Sequence, residues 1–298
     1  MTNIGILGLD TSHAKAFAEC LSTLDFEEAD PVLTAVWDGG TVRDDDYVAD
    51  FCAEFGASRC QSPSDMADRV DAAMVLSVDW DRHVDLAEPL LDAGLPTLID
   101  KPVCGSRADL DRLDTVAGAT PIFGGSALPY HAAFAAFPSG VPGRTTHLAG
   151  FNDYFYYRVH VVDTARRIAG TAWTAVTPLG GTATSTVEVA FEDGQWMTLR
   201  FDGSTDQSAF AGLDVAERTR TAHVPATEAE LDAMYEPYLG AFLARVHGDT
   251  SAGDSILDRG KLALAVETAL ERGVTVKPGD RTVERPAASF VADYEPYY

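Results

Sequence analysis

The sequence predicts an α/β protein: a doubly wound parallel sheet over residues 1–125, then an α+β domain with a mainly antiparallel sheet over 126–298. Three observations lead there. In the first part, short apolar runs alternate with helix-length segments whose apolar residues recur every three to four positions, as right-handed βαβ units do. After Ser126 the texture changes to alternating, β-rich stretches divided by turns such as Glu192-Asp193-Gly194, with a few helices among them. The length of 298 residues exceeds what a single core comfortably fills.

The elements follow in order. Ile4-Gly5-Ile6-Leu7 reads as a buried strand, Gly8 opens a tight turn, and Ala14 to Leu21 has helical spacing. Pro31 to Trp37 is a second strand ending at Asp38, and Asp46 to Phe55 is a helix stopped by Gly56. Ala72 to Ser77 is a third apolar strand, Val84 to Ala93 a helix closed by Gly94, and Leu95 to Ile99 the strand that delivers Asp100-Lys101-Pro102. Beyond Ser126, Val159 to Ile168, Glu228 to Val246 and Ile256 to Glu271 read as helices. Thr182 to Ala190, Gln195 to Asp202 and Ala216 to Val224 read as strands.

Composition excludes several classes of function. The formal charge of -24, spread along the chain, repels polyanions and argues against nucleic-acid binding. No run of eighteen apolar residues suggests a membrane span, and Met1-Thr2-Asn3 leads straight into the first strand, so the expected location is the cytoplasm. The four cysteines, Cys20, Cys52, Cys60 and Cys104, lack metal-ligand spacing and read as reduced thiols; no metal is expected.

The first turn and the strand ends carry the chemistry. In an open α/β sheet, ligands bind beyond the carboxyl ends of the strands, and a pyrophosphate sits on a helix N-terminus. Gly8, Asp10, Thr11, Ser12 and His13 form the turn into the first helix, although the dinucleotide fingerprint has glycine where Asp10 and His13 stand. Asp10 either caps the helix or turns away from the pyrophosphate, or else weakens cofactor binding, and Thr11, Ser12 and His13 are expected to offer donors to phosphate. Asp38, at the tip of the second strand, suits the ribose hydroxyls of NAD and repels the extra phosphate of NADP, while also fitting a plain turn with Gly39 and Gly40; Arg43 follows it closely. Lys101 at a strand tip, biased toward an extended backbone by Pro102, is a candidate acid–base group. His160 and Asp163 share a helix face after the aromatic stretch Tyr154-Phe155-Tyr156-Tyr157, and an imidazole exchanges protons near neutral pH.

These residues resemble the glucose-fructose oxidoreductase / inositol dehydrogenase (Gfo/Idh/MocA) family over most of the chain. The likeness rests on Ile4-Gly5-Ile6-Leu7-Gly8, on Asp79 to His83 and Ala93-Gly94, on Asp100-Lys101-Pro102 where the family has Glu-Lys-Pro, and on His160-Val161-Val162-Asp163 with Ile168-Ala169-Gly170. The resemblance implies a Rossmann-type domain for a nicotinamide cofactor, a lysine that assists proton transfer, and a histidine at the substrate alcohol. The chain departs from the family at the glycine turn and at Tyr156, where the family has an aspartate; Asp153, Asp163 or the Tyr156 hydroxyl are the candidate replacements.

The expected protein is therefore an NAD(P)-dependent oxidoreductase, NAD being favoured over NADP, that interconverts a secondary alcohol and a ketone on a sugar- or polyol-like substrate. Its expected catalytic residues are Lys101, His160, Asp163 and Tyr156; Gly8, Asp10, Thr11, Ser12, His13, Asp38, Ser77, His83, Lys101 and Pro102 are expected to line the cofactor. Arg158 and Tyr130 are further candidates for substrate contact. Two alternatives are a non-redox lyase or epimerase that retains NAD and a non-catalytic sensor or scaffold. A homo-oligomer, dimer or tetramer, is expected because an antiparallel sheet with one face free of helices commonly finds a partner.

Overall fold

In a computed structural model of the chain, residues 1–298 are described except 25, 27–29, 40–41, 153, 181–184, 203–208, 217, 250–254, 293 and 295–298. The chain divides into two compact units. The first comprises Met1–Gly124, Tyr235–Ala252 and Pro286–Tyr298; the second comprises Gly125–Met234 and Gly253–Arg285.

The first unit alternates strand and helix: β1 (Thr2–Leu7), α1 (Ser12–Thr23), β2 (Pro31–Trp37), α2 (Asp45–Phe55), β3 (Ser58–Arg59), α3 (Pro63–Ala67), β4 (Ala72–Val75), α4 (His83–Asp92), β5 (Thr97–Ile99), α5 (Arg107–Ala117) and β6 (Ile122–Gly124). Every strand pair is parallel, in the order β3-β2-β1-β4-β5-β6. The order reverses between β1 and β4, and beyond such a switch point open α/β sheets leave a crevice for ligands. Both faces of the sheet are covered, which is why Ile4, Ile6, Ala73, Met74, Leu98 and Ile99 are all buried without alternation. Local chemistry sets the helix ends: Asp44 accepts the Tyr47 N–H at the start of α2, and Gly56 ends it in the left-handed region.

The second unit contains α6 (Ala132–Ala135), β7 (Thr145–Phe151), α7 (Phe155–Ala169), β8 (Trp173–Pro178), β9 (Ser185–Phe191), β10 (Trp196–Asp202), β11 (Ala209–Val215) and β12 (Thr219–Pro225). The long helix α8 (Glu228–Val246) starts in this unit and finishes in the first, α9 (Ile256–Arg272) belongs to the second, and α10 (Ala288–Val291) to the first. The sheet runs β12-β11-β7-β10-β9-β8 and is antiparallel except for the β7–β10 pair. Helices α7 and α9 pack on the face that buries Val187, Val189, Met197 and Leu199. Arg144, fully buried, donates to the Asp214 carboxylate at 2.9 Å and to the carbonyls of Pro138 and Ile168, tying the loop before β7 to β11.

The division differs from the expected boundary at residue 125 in two C-terminal segments. Tyr235 of α8 meets Phe17 of α1 edge-on and Tyr238 lies tilted against it, with ring centroids 5.3 and 5.9 Å apart, and Tyr238 and Phe242 cover Phe123 of β6. Phe290 of α10 packs on Trp80, and the Ala287 N–H donates to Asp81. These aromatic contacts are long-range, so no local pattern announces them. No described helix is long and apolar enough to cross a membrane.

Candidate active site

The turn after β1 is built around the requirements of Gly8. Its φ is +89°, and a Cβ placed there would stand 2.8 Å from the Cα and N of Ser77 beyond β4, so only glycine lets the two strand ends approach. The Gly8 N–H donates to the Trp37 carbonyl, and the Leu9 N–H donates to Asp38 Oδ1 at 2.9 Å. Asp38 thus holds the turn from the tip of β2. Arg43 donates from Nε to the Leu9 carbonyl while its guanidinium lies 4.1 Å from the centre of the Tyr47 ring.

Asp10 is buried and turns away from the start of α1. Its carboxylate accepts from the Val78 N–H at 2.8 Å and the Ser77 hydroxyl at 3.3 Å, clamping the turn to the loop after β4. Burial pushes its carboxyl up to about 6, the Val78 bond opposes the rise, and the Asp38 charge adds to it. The N-cap position of α1 falls to Thr11, whose side chain makes no capping bond; its buried hydroxyl has no hydrogen-bond partner among the described residues. An uncapped helix start, no acidic residue in the first turn and an orphaned hydroxyl beside a glycine turn match what a cofactor diphosphate needs. Ser12 is the first residue of that helix.

His13 takes a place different from the expected phosphate donor. Its Nδ1 lies 2.8 Å from Oδ2 and 2.9 Å from Oδ1 of Asp100, and its ring stacks on Phe17 and meets the edge of Tyr235. Asp100 follows β5 and also accepts the Lys101 N–H at 2.8 Å. Burial alone would raise the Asp100 carboxyl, but the His13 charge and hydrogen bond, aided by Lys101, hold it below the usual carboxylate range. Lys101 is itself buried, and the peptide to Pro102 is cis. Burial brings its ammonium down to about 7, while the Asp100 carboxylate limits the fall. That value places the amine where it can both take and release a proton near neutrality.

Ser77 and His83 brace this end of the sheet. The Ser77 hydroxyl accepts the Asp79 N–H, and His83, fully buried, directs Nε2 to the Ser77 carbonyl at 2.7 Å and Nδ1 to the Val103 carbonyl at 3.1 Å. Both ring nitrogens therefore meet backbone, and the imidazole joins the loop after β4 to the loop after Lys101-Pro102.

In the second unit, Ser126 gathers the candidate side chains. Its hydroxyl lies 2.6 Å from His160 Nδ1 and accepts the Leu128 N–H, while its own N–H donates to Asp163 Oδ2 at 2.6 Å. Gly125 has φ +74°, and a Cβ there would stand 2.4 Å from Asp163 Oδ2. The carboxylate thus binds the Ser126 N–H and lies 4.0 Å from the Arg259 guanidinium, and Ser126 links Asp163 to His160. His160 and Asp163 share a face of α7 as their spacing predicts, and the His160 ring packs on Phe210. Tyr156, in the first turn of α7, is half-buried with its ring edge-on to Tyr157. Arg158 donates to Glu267 of α9 at 2.7 Å, and Arg167 lies over the Tyr130 ring. Asp153 falls outside the described residues. Ser126 and Arg259 escaped the sequence reading; the only signal for Ser126 was the glycine pair before it. Among the described residues, no group of three or more His, Cys, Asp or Glu side chains is placed to hold a metal ion.

Comparison with known proteins agrees with this geometry. Residues 2–121 match the Gfo/Idh/MocA model, described as an oxidoreductase family with an NAD-binding Rossmann fold. No curated protein matches the chain in sequence. Among solved structures, a probable dehydrogenase from Thermotoga maritima is 18% identical with a TM-score of 0.76, covering 92% of this chain and 98% of its own. A myo-inositol dehydrogenase from Corynebacterium glutamicum is 15% identical with a TM-score of 0.77, covering 94% and 99%. A scyllo-inositol dehydrogenase from Lactobacillus casei, solved with NAD(H) and scyllo-inositol, is 15% identical with a TM-score of 0.73, covering 93% and 99%. At such identities the likeness is one of fold. Over residues 2–121, where the glycine turn, Asp38 and the Lys101 strand end all lie, the chain matches the model of an oxidoreductase family with an NAD-binding Rossmann fold, in keeping with the parallel sheet seen there.

Proposed function

We propose that the protein is an NAD-dependent dehydrogenase that interconverts a secondary alcohol and a ketone on a sugar- or polyol-like substrate. The observation that supports this most is Lys101: a buried amine at the end of β5 in an NAD-binding fold, held at about 7. NAD supplies the hydride acceptor when bound. In alcohol oxidation the neutral Lys101 amine accepts the hydroxyl proton as the carbonyl forms, and the resulting ammonium passes the proton to solvent; ketone reduction reverses both steps. The Gly8 turn and the α1 N-terminus, with Thr11 and Ser12, would hold the cofactor diphosphate, and Asp38 would bind the adenosine ribose. Asp10, His83 and Ser77 set the shape of that crevice rather than touch the reacting atoms.

In the second unit we assign substrate recognition to His160 and Tyr156. Ser126 fixes the imidazole, and Asp163 with Arg259 fixes Ser126. Two of the structural relatives are inositol dehydrogenases, one of them solved with scyllo-inositol, which is why a polyol is the proposed substrate class.

The test is Lys101→Ala assayed against a panel of polyols. Turnover should fall by about 10² to 10⁴, the usual scale for a lost acid–base group, with NAD affinity retained. In the wild type, oxidation should lose rate as pH falls through about 7, because only the uncharged amine accepts a proton. A variant that turns over at the wild-type rate would overturn the assignment. Catalysis with no net NAD reduction would replace the dehydrogenase by a lyase or epimerase that retains its cofactor.

A further inference from the structure

Ser126 is fully buried, and among the described residues its hydroxyl meets two groups: the Leu128 N–H at 3.1 Å and His160 Nδ1 at 2.6 Å. A hydroxyl has one proton to donate and two lone pairs that accept. The Leu128 N–H takes up a lone pair, so among the described residues the acceptor left for the Ser126 proton is Nδ1 of His160. The reverse arrangement, a proton on Nδ1 donated to Oγ, would leave a buried O–H with nothing to donate to, which folded proteins seldom tolerate. Backbone contacts keep the hydroxyl in place. The Ser126 N–H donates to Asp163 Oδ2 at 2.6 Å, one turn along α7 from His160, and the His160 ring packs against Phe210. Hydroxyl and imidazole are thus held by the same helix.

A neutral imidazole has one N–H, and an Nδ1 that accepts puts that N–H at Nε2. Nε2 is then a donor and cannot act as a base. We propose that Ser126 is a positioning residue that fixes the tautomer of His160, so that His160 donates a hydrogen bond from Nε2 to a substrate oxygen and does not remove the substrate proton. The inference rests on the reading of His160 as a substrate-contacting residue, and adds its chemical role. Alcohol and ketone oxygens both have lone pairs for such a bond, and a donor aimed at an oxygen that gathers charge favours the transition state. Proton transfer then belongs to Lys101, the acid–base group proposed above. A carboxylate on Nδ1 would do the opposite: it has no proton to give, so it would hold an N–H at Nδ1 and leave Nε2 as the base. A serine in that place separates binding from proton transfer.

The tautomer is read by long-range ¹H–¹⁵N correlation spectroscopy of the purified protein above neutral pH, which separates a protonated from an unprotonated ring nitrogen. The chain has seven histidines, and the signals missing from His160→Gln are those of His160. In the wild type, Nε2 should carry the proton and Nδ1 should not; the opposite pattern would overturn the inference. Ser126→Ala should move the ring toward a mixture of the two tautomers. An unchanged pattern in that variant would show that another partner sets the ring, and would overturn the inference as well. On a polyol that the wild type turns over, His160→Leu should lower turnover by about 10² to 10³, the scale of a lost hydrogen-bond donor at a reacting oxygen. His160→Gln keeps an N–H and should retain most of the activity; losses equal to those of His160→Leu would overturn the donor role. Full turnover in His160→Leu would overturn the substrate role of His160 itself and leave the Ser126 tautomer assignment standing.

Discussion

At the scale of single residues, the most informative side chain is Asp10, which turns away from the α1 N-terminus and clamps the turn to Ser77 and Val78. Its carboxyl rises from 3.8 to about 6 on folding, so between those values the folded chain binds more protons than the unfolded one. Stability then falls as pH climbs from about 4 to about 6, by roughly 3 kcal/mol, and the full penalty is present above that range. Asp10→Asn keeps an acceptor for the Val78 N–H without the charge. Urea titrations across that range should show a flatter pH slope for the variant than for the wild type, and equal slopes would refute the account. Asp38 makes a second test: calorimetric titration should show NAD binding more tightly than NADP, and Asp38→Ala should narrow the gap while loosening the turn that Asp38 holds through Leu9. Lys101, Asp38 and Gly8 were legible in the sequence because each stands at a strand tip beside a marker residue. The destinations of His13, Ser126 and Arg259 were not, since their partners are tens of residues away and no spacing rule reaches that far.

At the scale of elements, the apolar runs gave away the buried strands and amphipathic helices: Pro31–Trp37 and Glu228–Val246 fall where periodicity puts them. Such a pattern is faint in α5, whose charged sequence keeps only Leu110, Leu113 and Ala117 as a buried stripe, and in β7 and β11, whose Thr145–Phe151 and Ala209–Val215 mix small, polar and apolar residues. Those strands are central to the second sheet, and β-propensity there yields to packing by neighbours. A buried ion pair supports them. Asp214→Ala would leave the Arg144 guanidinium buried with its carboxylate partner gone, at an expected cost of about 3 to 5 kcal/mol to the second unit. Chemical denaturation followed by the fluorescence of Trp173 and Trp196 would measure it, and a loss under about 1 kcal/mol would show that the carbonyls of Pro138 and Ile168 suffice to hold the arginine.

At the scale of the whole molecule, the second sheet turns one face to α7 and α9 and leaves rows of small, polar and apolar side chains on the other. Register puts Thr219, Val215, Thr145, Trp196 and Ala190 side by side, then Thr221, Leu213, His147, Thr198 and Glu188. Trp196, Leu213 and Val215 are notably exposed for apolar residues in a sheet. The chain is therefore expected to assemble through this face as a dimer or tetramer, and a paired Leu213→Glu, Val215→Glu variant should sediment as a smaller species than the wild type. A monomeric wild type would refute this.

The aromatic cover of the first unit has a consequence for how the chain is made. Synthesis delivers the parallel sheet first, with Phe17 and Phe123 still bare, and the rings that cover them, Tyr235, Tyr238 and Phe242, emerge only after about a hundred further residues have left the ribosome. The nucleotide half must wait for the far end of its own polypeptide. A fragment ending at residue 124 would carry every cofactor contact named above and still display a sticky aromatic surface, so aggregation rather than NAD binding is its expected fate; adding residues 235–252 in trans should rescue its solubility.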